Sequence, residues 1–122
     1  MAEIVYQELT RAECLHVLRQ THVTRAAFCN GERPYIVPMC FHLEAQGDVP
    51  LICLCMPDHG RKAEYLSRCS RVCLEFESPG TACADVVLLE GSAVPAAWVQ
   101  NEGLAVSVRG EAISGRRFFM PE

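Results

Sequence analysis

The sequence lacks the usual marks of a nucleic-acid-binding or membrane protein. Its 122 residues carry 11 Lys and Arg against 15 Asp and Glu, which gives a formal net charge of -4. A chain that binds nucleic acid normally carries a basic patch or stripe instead. The longest apolar runs, such as "PYIVPMCF" and "PLICLCM", are far shorter than the roughly 20 residues that span a bilayer. The N-terminus has no positive segment followed by an apolar one, so we expect a cytoplasmic protein that binds neither nucleic acid nor membrane.

Metal-binding and nucleotide-binding motifs are missing as well. Of the eight cysteines, Cys53 and Cys55 form C-x-C and Cys69 and Cys73 form C-x3-C. No C-x-x-C occurs, and no nearby pair of histidines completes a zinc set. We therefore predict no metal and interpret the cysteines as free thiols that fill small apolar spaces. The segment "DHGRKA" matches neither a Walker loop nor a G-x-G-x-x-G fingerprint.

The chain is long enough for one core, and we predict a single domain over 1–122. Thr10 and Glu13 form a capping box, which predicts a helix that starts there and fades near 20–22. Helical spacing places an apolar stripe on one face of this helix. The stripe consists of Cys14, Leu15, Val17 and Leu18.

The remainder of the sequence is typical of strands. The turn-forming segments "NGE" and "AQGD" separate three strand-like runs between 25 and 56, which predicts an antiparallel meander. In the third run both faces are apolar, so we expect it to be covered on two sides. Pro38 should lie at an edge or a bulge, because it has no N–H for a strand ladder.

Further strands are predicted at "RVCLEFES", "ADVVLLEGSAV" and "LAVSVRGEAIS", with "PAAWVQNEG" a loop or a helical turn. Val72, Leu74 and Phe76 alternate on one face of the first of these runs. Mostly antiparallel strands with two short helices favour a mainly β fold, a small closed or nearly closed barrel.

The segment "PDHGRKAEYL" puts two cations, Arg61 and Lys62, where a second short helix begins. A helix N-terminus is already positive, so basic residues are locally unfavourable there. They suit the site if an anion binds to it. With Asp58 as the cap, the amides beyond it, including that of Gly60, would point at the same anion. A terminal phosphate fits this arrangement, and a solvated basic turn is the alternative.

The order of these elements resembles the FMN-binding split-barrel family, which includes pyridoxamine 5'-phosphate oxidases and nitroimidazole-resistance type reductases. The resemblance lies in "RPYIVPMCFHLE" followed by "LICLCMPDHGRKAEYLSRCSRVCLEFE". A G/S-R-K segment opens a short helix in that family, and here it is Gly60, Arg61 and Lys62. The segment with Trp98, followed by Ser107, Val108 and Gly110, resembles the family's "W…SV…G" strand.

The resemblance implies a small split β-barrel with short flanking helices that binds FMN as a homodimer, with the flavin between the subunits. Arg61 and Lys62 are expected to hold the phosphate, and the backbone of β-strands nearby to line the ring. The full set of implied cofactor-binding residues is Val37, Pro38, Met39, Cys40, Cys55, Met56, His59, Gly60, Arg61, Lys62, Trp98 and Ser107.

The implied activity is that of an oxidoreductase that passes electrons from a reduced nicotinamide to a small acceptor. The alternatives are a flavin-binding or storage module without turnover, and a haem-handling protein. No residue set matches a pyridoxal-phosphate site, and the substrate and the catalytic residues are left open. Many relatives continue beyond the segment that ends here in "GRRFFMPE", so substrate-covering elements could be reduced.

The histidines have different expected roles. His59 either donates to the phosphate or titrates near a substrate, or it is a turn histidine on the surface. His16, His22 and His42 are expected on the surface. Cys40 and Cys55 are assigned no catalytic role, because buried cysteines are commonly packing residues.

Overall fold

The computed structural model describes residues 5–46, 49–57, 59–99 and 103–119. Seven strands and two helices follow one another in this part of the chain. In order they are β1 Tyr6–Glu8, α1 Arg11–Gln20, β2 Val23–Cys29, β3 Pro34–Gln46, β4 Pro50–Met56, α2 Arg61–Arg68, β5 Arg71–Pro79, β6 Cys83–Val99 and β7 Gly103–Phe119. Neither helix is long and apolar enough to cross a membrane, among the residues that the structure describes.

The strands form a closed ring of antiparallel pairs. The sheet order is β1-β7-β4-β3-β2-β5-β6, and β6 pairs back with β7. The predicted meander is the β2, β3 and β4 part of this ring. The prediction of a mainly β, nearly closed barrel with short flanking helices is confirmed.

Alternate side chains along the strands fill the interior of the ring. In β5 the predicted set Val72, Leu74 and Phe76 is buried. In β4 the inward residues Ile52, Leu54 and Met56 are buried, whereas Leu51 and Cys53 are half-buried and Cys55 is exposed. The period of two separates a core face from an outer face on each of these strands.

Helix α1 is closed at its N-terminus by its own side chains. The Thr10 amide donates to Glu13 Oε1 at 2.9 Å, and the Glu13 amide donates to Thr10 Oγ1 at 3.2 Å. The predicted capping box is therefore confirmed. Cys14, Val17 and Leu18 are buried, but Leu15 is only half-buried, because it lies at the edge of the apolar stripe.

Gly115 of β7 lies directly under α1. A Cβ atom built on it would come within 2.6 Å of Cys14 Sγ and within 3.0 Å of Leu9 Cδ1. The missing side chain lets the helix approach the strand closely. A larger residue there would force the side chains of Cys14 and Leu9 to move.

Two regions differ from the predictions. Strand β1, which was not predicted, pairs with β7 from Tyr6 with Phe118 to Glu8 with Arg116. The "PAAWV" segment, expected in a loop or helical turn, continues β6 to Val99. This segment pairs with β7, for example Trp98 with Leu104. The pairing stabilises the strand conformation, and local sequence does not reveal it. Residues 100–102 lie outside the described part of the chain.

The prediction for Pro38 is confirmed. The pairs between β3 and β2 include Pro38 with Arg25, whereas the pairs between β3 and β4 start at Phe41. Pro38 therefore lies in the part of β3 that pairs on one side only. A residue without an N–H is tolerated there.

Candidate functional site

Helix α2 begins without a side-chain cap. Its N-cap residue is Gly60, whose φ of 97° lies in the left-handed region that favours glycine. The first intrahelical bond runs from the Glu64 amide to the Gly60 carbonyl at 3.0 Å, so the amides of residues 61–63 precede the helical ladder. Asp58, which we predicted as the cap, lies outside the described residues. The N-terminus of α2 therefore presents backbone N–H donors that can bind an anion.

Two cations stand at this helix end. Within the described residues, neither Arg61 nor Lys62 forms an ion pair, whereas Arg25, Arg68, Arg71 and Arg117 each have a carboxylate within 4 Å. The acidic residue of the first turn, Glu64, lies 3.6 Å from Arg68, one turn further along. Positive charge at the start of α2 is left without a carboxylate partner from the described part of the chain.

A cavity of about 590 Å³ opens at the same place. It is lined by His59, Gly60, Arg61, Ala63, Glu64 and Tyr65. His59 is exposed, in agreement with either of its predicted roles, and Lys62 is half-buried beside the cavity lining. Among the described residues, the helix N-terminus thus combines amides that precede the helical ladder, cations without a carboxylate partner and space for a ligand.

Tyr35, which the sequence did not indicate, contacts this site. The Arg61 guanidinium carbon lies 4.9 Å from the centre of the Tyr35 ring. The two residues are 26 positions apart in the chain, and a tyrosine at the start of a strand carries no signal of such a contact. Only the docking of α2 beside β2 and β3 brings them together.

The residues predicted to line a flavin ring divide between two faces. Pro38, Cys40 and Cys55 are exposed on the outer face of β3 and β4. Met39 and Met56 are buried in the core, with 8% and 3% exposure, so they can reach a ligand on the outer face only through their backbone. Val37 is half-buried.

Ser107 lies further along the same outer face. It is half-buried and pairs with Cys53 on one side and with Val94 on the other. Trp98 belongs to β6, and its side chain lies outside the described part of the structure. The predicted ring-lining residues therefore form an outer-face surface on β3, β4 and β7, with the two methionines behind it.

The cysteines are free thiols, as predicted. All eight are free, and no group of three metal-ligating side chains is close enough to hold an ion among the described residues. Burial, together with the nearby Glu44 carboxylate, raises the pKa of the Cys53 thiol to about 11. This thiol is protonated at neutral pH and is a weak nucleophile.

The other histidines lie where the sequence placed them. His16, His22 and His42 are exposed, as predicted. None of the three lines the cavity at the start of α2. His42 pairs with Cys53 of β4 and therefore lies beside the predicted ring-lining surface.

Comparison with known proteins identifies the fold. A protein from Bacteroides thetaiotaomicron assigned to 5-nitroimidazole antibiotic resistance superposes with a TM-score of 0.84 at 14% identity, over 97% of this chain and 90% of its own. A FAD-binding protein from Mesorhizobium loti gives 0.80 at 18% identity, over 93% of this chain and 98% of its own. A Corynebacterium glutamicum protein assigned as a pyridoxamine 5'-phosphate oxidase gives 0.79 at 17%, over 100% of this chain and 98% of its own.

A more distant structure is that of a protein named for a different ligand. A haem-binding protein from Mycobacterium smegmatis gives a TM-score of 0.66 at 16% identity, over 83% of this chain and 51% of its own. No family model matches the chain, and no curated protein matches it in sequence. The chain therefore has the split-barrel fold of these proteins, as the resemblance in its sequence predicted.

Proposed function

We propose that this protein binds flavin mononucleotide and that its phosphate occupies the start of α2. The observation that carries the proposal is the pair of cations, Arg61 and Lys62, without a described carboxylate partner at a helix end without a side-chain cap. Backbone amides at a helix N-terminus and a forked guanidinium are both strong donors to phosphate. The flavin-binding and oxidase names among the structural neighbours support the choice of flavin over other phosphate esters.

The charge at this site favours FMN over FAD. A terminal phosphate monoester carries about -1.5 to -2 charge at neutral pH, whereas each phosphate of the FAD diphosphate bridge carries about one negative charge. Two cations and the positive helix end match the monoester better. The backbone of Pro38 and Cys40, with Cys55 on the next strand, would then lie along the flavin ring.

We further propose that the protein is a homodimer with the flavin between its subunits. Several apolar side chains are exposed on the outer face of the ring, among them Val23 at 51%, Ile36 at 62% and Val94 at 58%. Val94 is joined through Ser107 and Cys53 to the ring-lining strands. A two-fold interface would bury some of these side chains and complete the flavin site with partner residues.

The bound flavin would supply hydride and electron transfer, and the protein would supply binding and orientation. We propose an oxidoreductase that passes electrons from a reduced nicotinamide to a small acceptor in the cytoplasm. In this proposal the described residues would contribute phosphate donors, an apolar surface for the flavin ring and a position for His59 next to the phosphate.

The proposal is tested by titrating FMN, FAD and riboflavin into the apoprotein and following flavin fluorescence. We expect FMN to bind most tightly and riboflavin, which lacks the phosphate, most weakly. An absorption spectrum of the purified protein serves as an independent check, because bound flavin and bound haem have different bands. Equal affinity for FMN and riboflavin, or a haem spectrum, would contradict the proposal.

The homodimer has a separate test. Light scattering should give twice the 13.5 kDa chain mass. Val94→Asp should shift the protein toward monomer, because a carboxylate would be buried in the proposed interface. Leu88→Asp is the matched control, since Leu88 is also exposed on β6, at 43%, but pairs with Glu75 and Ser114 rather than with a strand position next to the ring-lining residues. A monomeric parent that binds FMN would refute the dimer.

A further inference from the structure

One tyrosine, Tyr35, contacts the arginine of the proposed phosphate site. The Tyr35 ring lies under the Arg61 guanidinium at 4.9 Å and meets the Tyr65 ring edge-on, with 5.7 Å between centroids and 62° between planes. On its other side it lies 6.4 Å from Phe28, which is buried in the core. Tyr35 is thus held between the core and α2.

This contact has a consequence for the donors of Arg61. The cation–π attraction holds the guanidinium over the ring, and the N–H groups that do not contact the ring can donate to an oxyanion. An exposed arginine would otherwise lose side-chain freedom on binding a ligand. Tyr35 restricts that freedom beforehand.

We infer that Tyr35 is a positioning residue that orients Arg61 toward the phosphate and so contributes to selectivity for phosphorylated over unphosphorylated flavin. This inference rests on the proposed function. Tyr65 and Phe28 hold the ring in place, and Arg61 is the only cation that the described structure places on it.

The inference is tested by measuring FMN and riboflavin affinity in variants of Tyr35. Removing a cation–π contact at an exposed site should weaken FMN binding by about two- to five-fold in Tyr35→Leu. Riboflavin affinity should stay unchanged. Tyr35→Phe, which keeps the ring, should retain most of the FMN affinity.

A double-mutant cycle separates orientation of Arg61 from a general effect on the fold. In an Arg61→Ala background, Tyr35→Leu should have no further effect on FMN, because the group it orients is gone. The matched control is Tyr6→Leu, which removes a similar stack of Arg116 on a tyrosine, at 4.5 Å, on strands β1 and β7. FMN affinity should not change in this control.

The outcomes are distinguishable. A parent that binds FMN no better than riboflavin refutes the proposed function and the inference with it. A parent that prefers FMN, with the same preference in Tyr35→Leu, refutes the inference alone. An equal loss for both flavins in Tyr35→Leu, or a loss that persists in the Arg61→Ala background, also overturns it, because Tyr35 would then act through the fold.

Discussion

The two helices of this protein are opposites in how their first turns are completed. In α1 the side chains of Thr10 and Glu13 satisfy the helix end, and three residues of the helix are buried. In α2 the N-cap is a glycine, no residue is buried, and the first positions are basic. The sequence of α1 contributes to the stability of the barrel. The sequence of α2 provides no side-chain cap for its N-terminus, and we attribute this difference between the helices to ligand binding at α2.

The largest difference between the two helices should appear in ligand affinity, which we expect to depend on α2. In the double variant Arg61→Ala and Lys62→Ala, FMN binding should weaken by roughly two to four orders of magnitude, since each charge-assisted hydrogen bond contributes about 1.5 to 3 kcal/mol. Non-additivity between adjacent groups would lower this figure.

Riboflavin affinity and the melting temperature serve as controls for this variant. Riboflavin affinity should change little, because riboflavin has no phosphate for the two cations to bind. The melting temperature should change little, because the variant only removes positive charge from a helix N-terminus that is already positive. FMN binding as tight as in the parent would show that the cations are ordinary surface residues.

A second effect, on stability, should be confined to α1. Leu18→Ala should lower the free energy of unfolding by about 2 to 5 kcal/mol, because Leu18 is 1% exposed in the core. Leu66→Ala in α2 should cost less than half as much, since Leu66 is only half-buried. Urea denaturation of both variants measures the difference, and similar losses would mean that α2 is as important to the core as α1.

A smaller loss is expected at the cap of α1. Thr10→Ala removes the hydroxyl that accepts from the Glu13 amide, and such changes cost about 1 kcal/mol. Chemical denaturation should detect this loss, while FMN affinity should be unaffected. A drop in FMN affinity would show that the two helix ends are coupled.

The smallest effect is a dependence on pH. Hydrogen bonds from the Thr10 amide and hydroxyl hold the pKa of Glu13 below its ordinary value of 4.5. Because the folded pKa is the lower one, the Glu13 carboxylate contributes stability above its unfolded pKa, and this contribution is lost as the pH falls through the folded pKa. In Glu13→Gln the melting temperature should be slightly lower than in the parent at pH 6. The two should converge as the pH falls through the folded pKa of Glu13, which lies below 4.5, and a constant difference would contradict this interpretation.

Local sequence predicted the parts of the fold that depend on neighbours in the chain. The capping box, the alternation in β5 and the turns of the meander are all short-range patterns. Strand β1 and the end of β6 depend on pairing with residues of β7, up to 112 positions away in the pair Tyr6 with Phe118. No local pattern in "PAAWV" shows that partner.

In the candidate site, too, some residues could be predicted from local sequence and others depend on tertiary packing. The cations Arg61 and Lys62 could be identified from their place at the start of a helix, where the helix dipole disfavours basic residues. Tyr35 could not, because its role depends on the packing of α2. The cap assigned to Asp58 was a local inference, and the N-cap position in the structure belongs to Gly60.

Strand β7 closes the ring, since it pairs with β1, β4 and β6. Until β7 has been synthesised, β4 and β6 each have an unpaired edge on a nascent chain. Topologies that depend on such distant pairings fold slowly, in milliseconds to seconds, and open edges promote association with other chains. We therefore expect refolding yield to fall with protein concentration, and to fall more steeply in variants that weaken the pairing of β7 than in variants of α2.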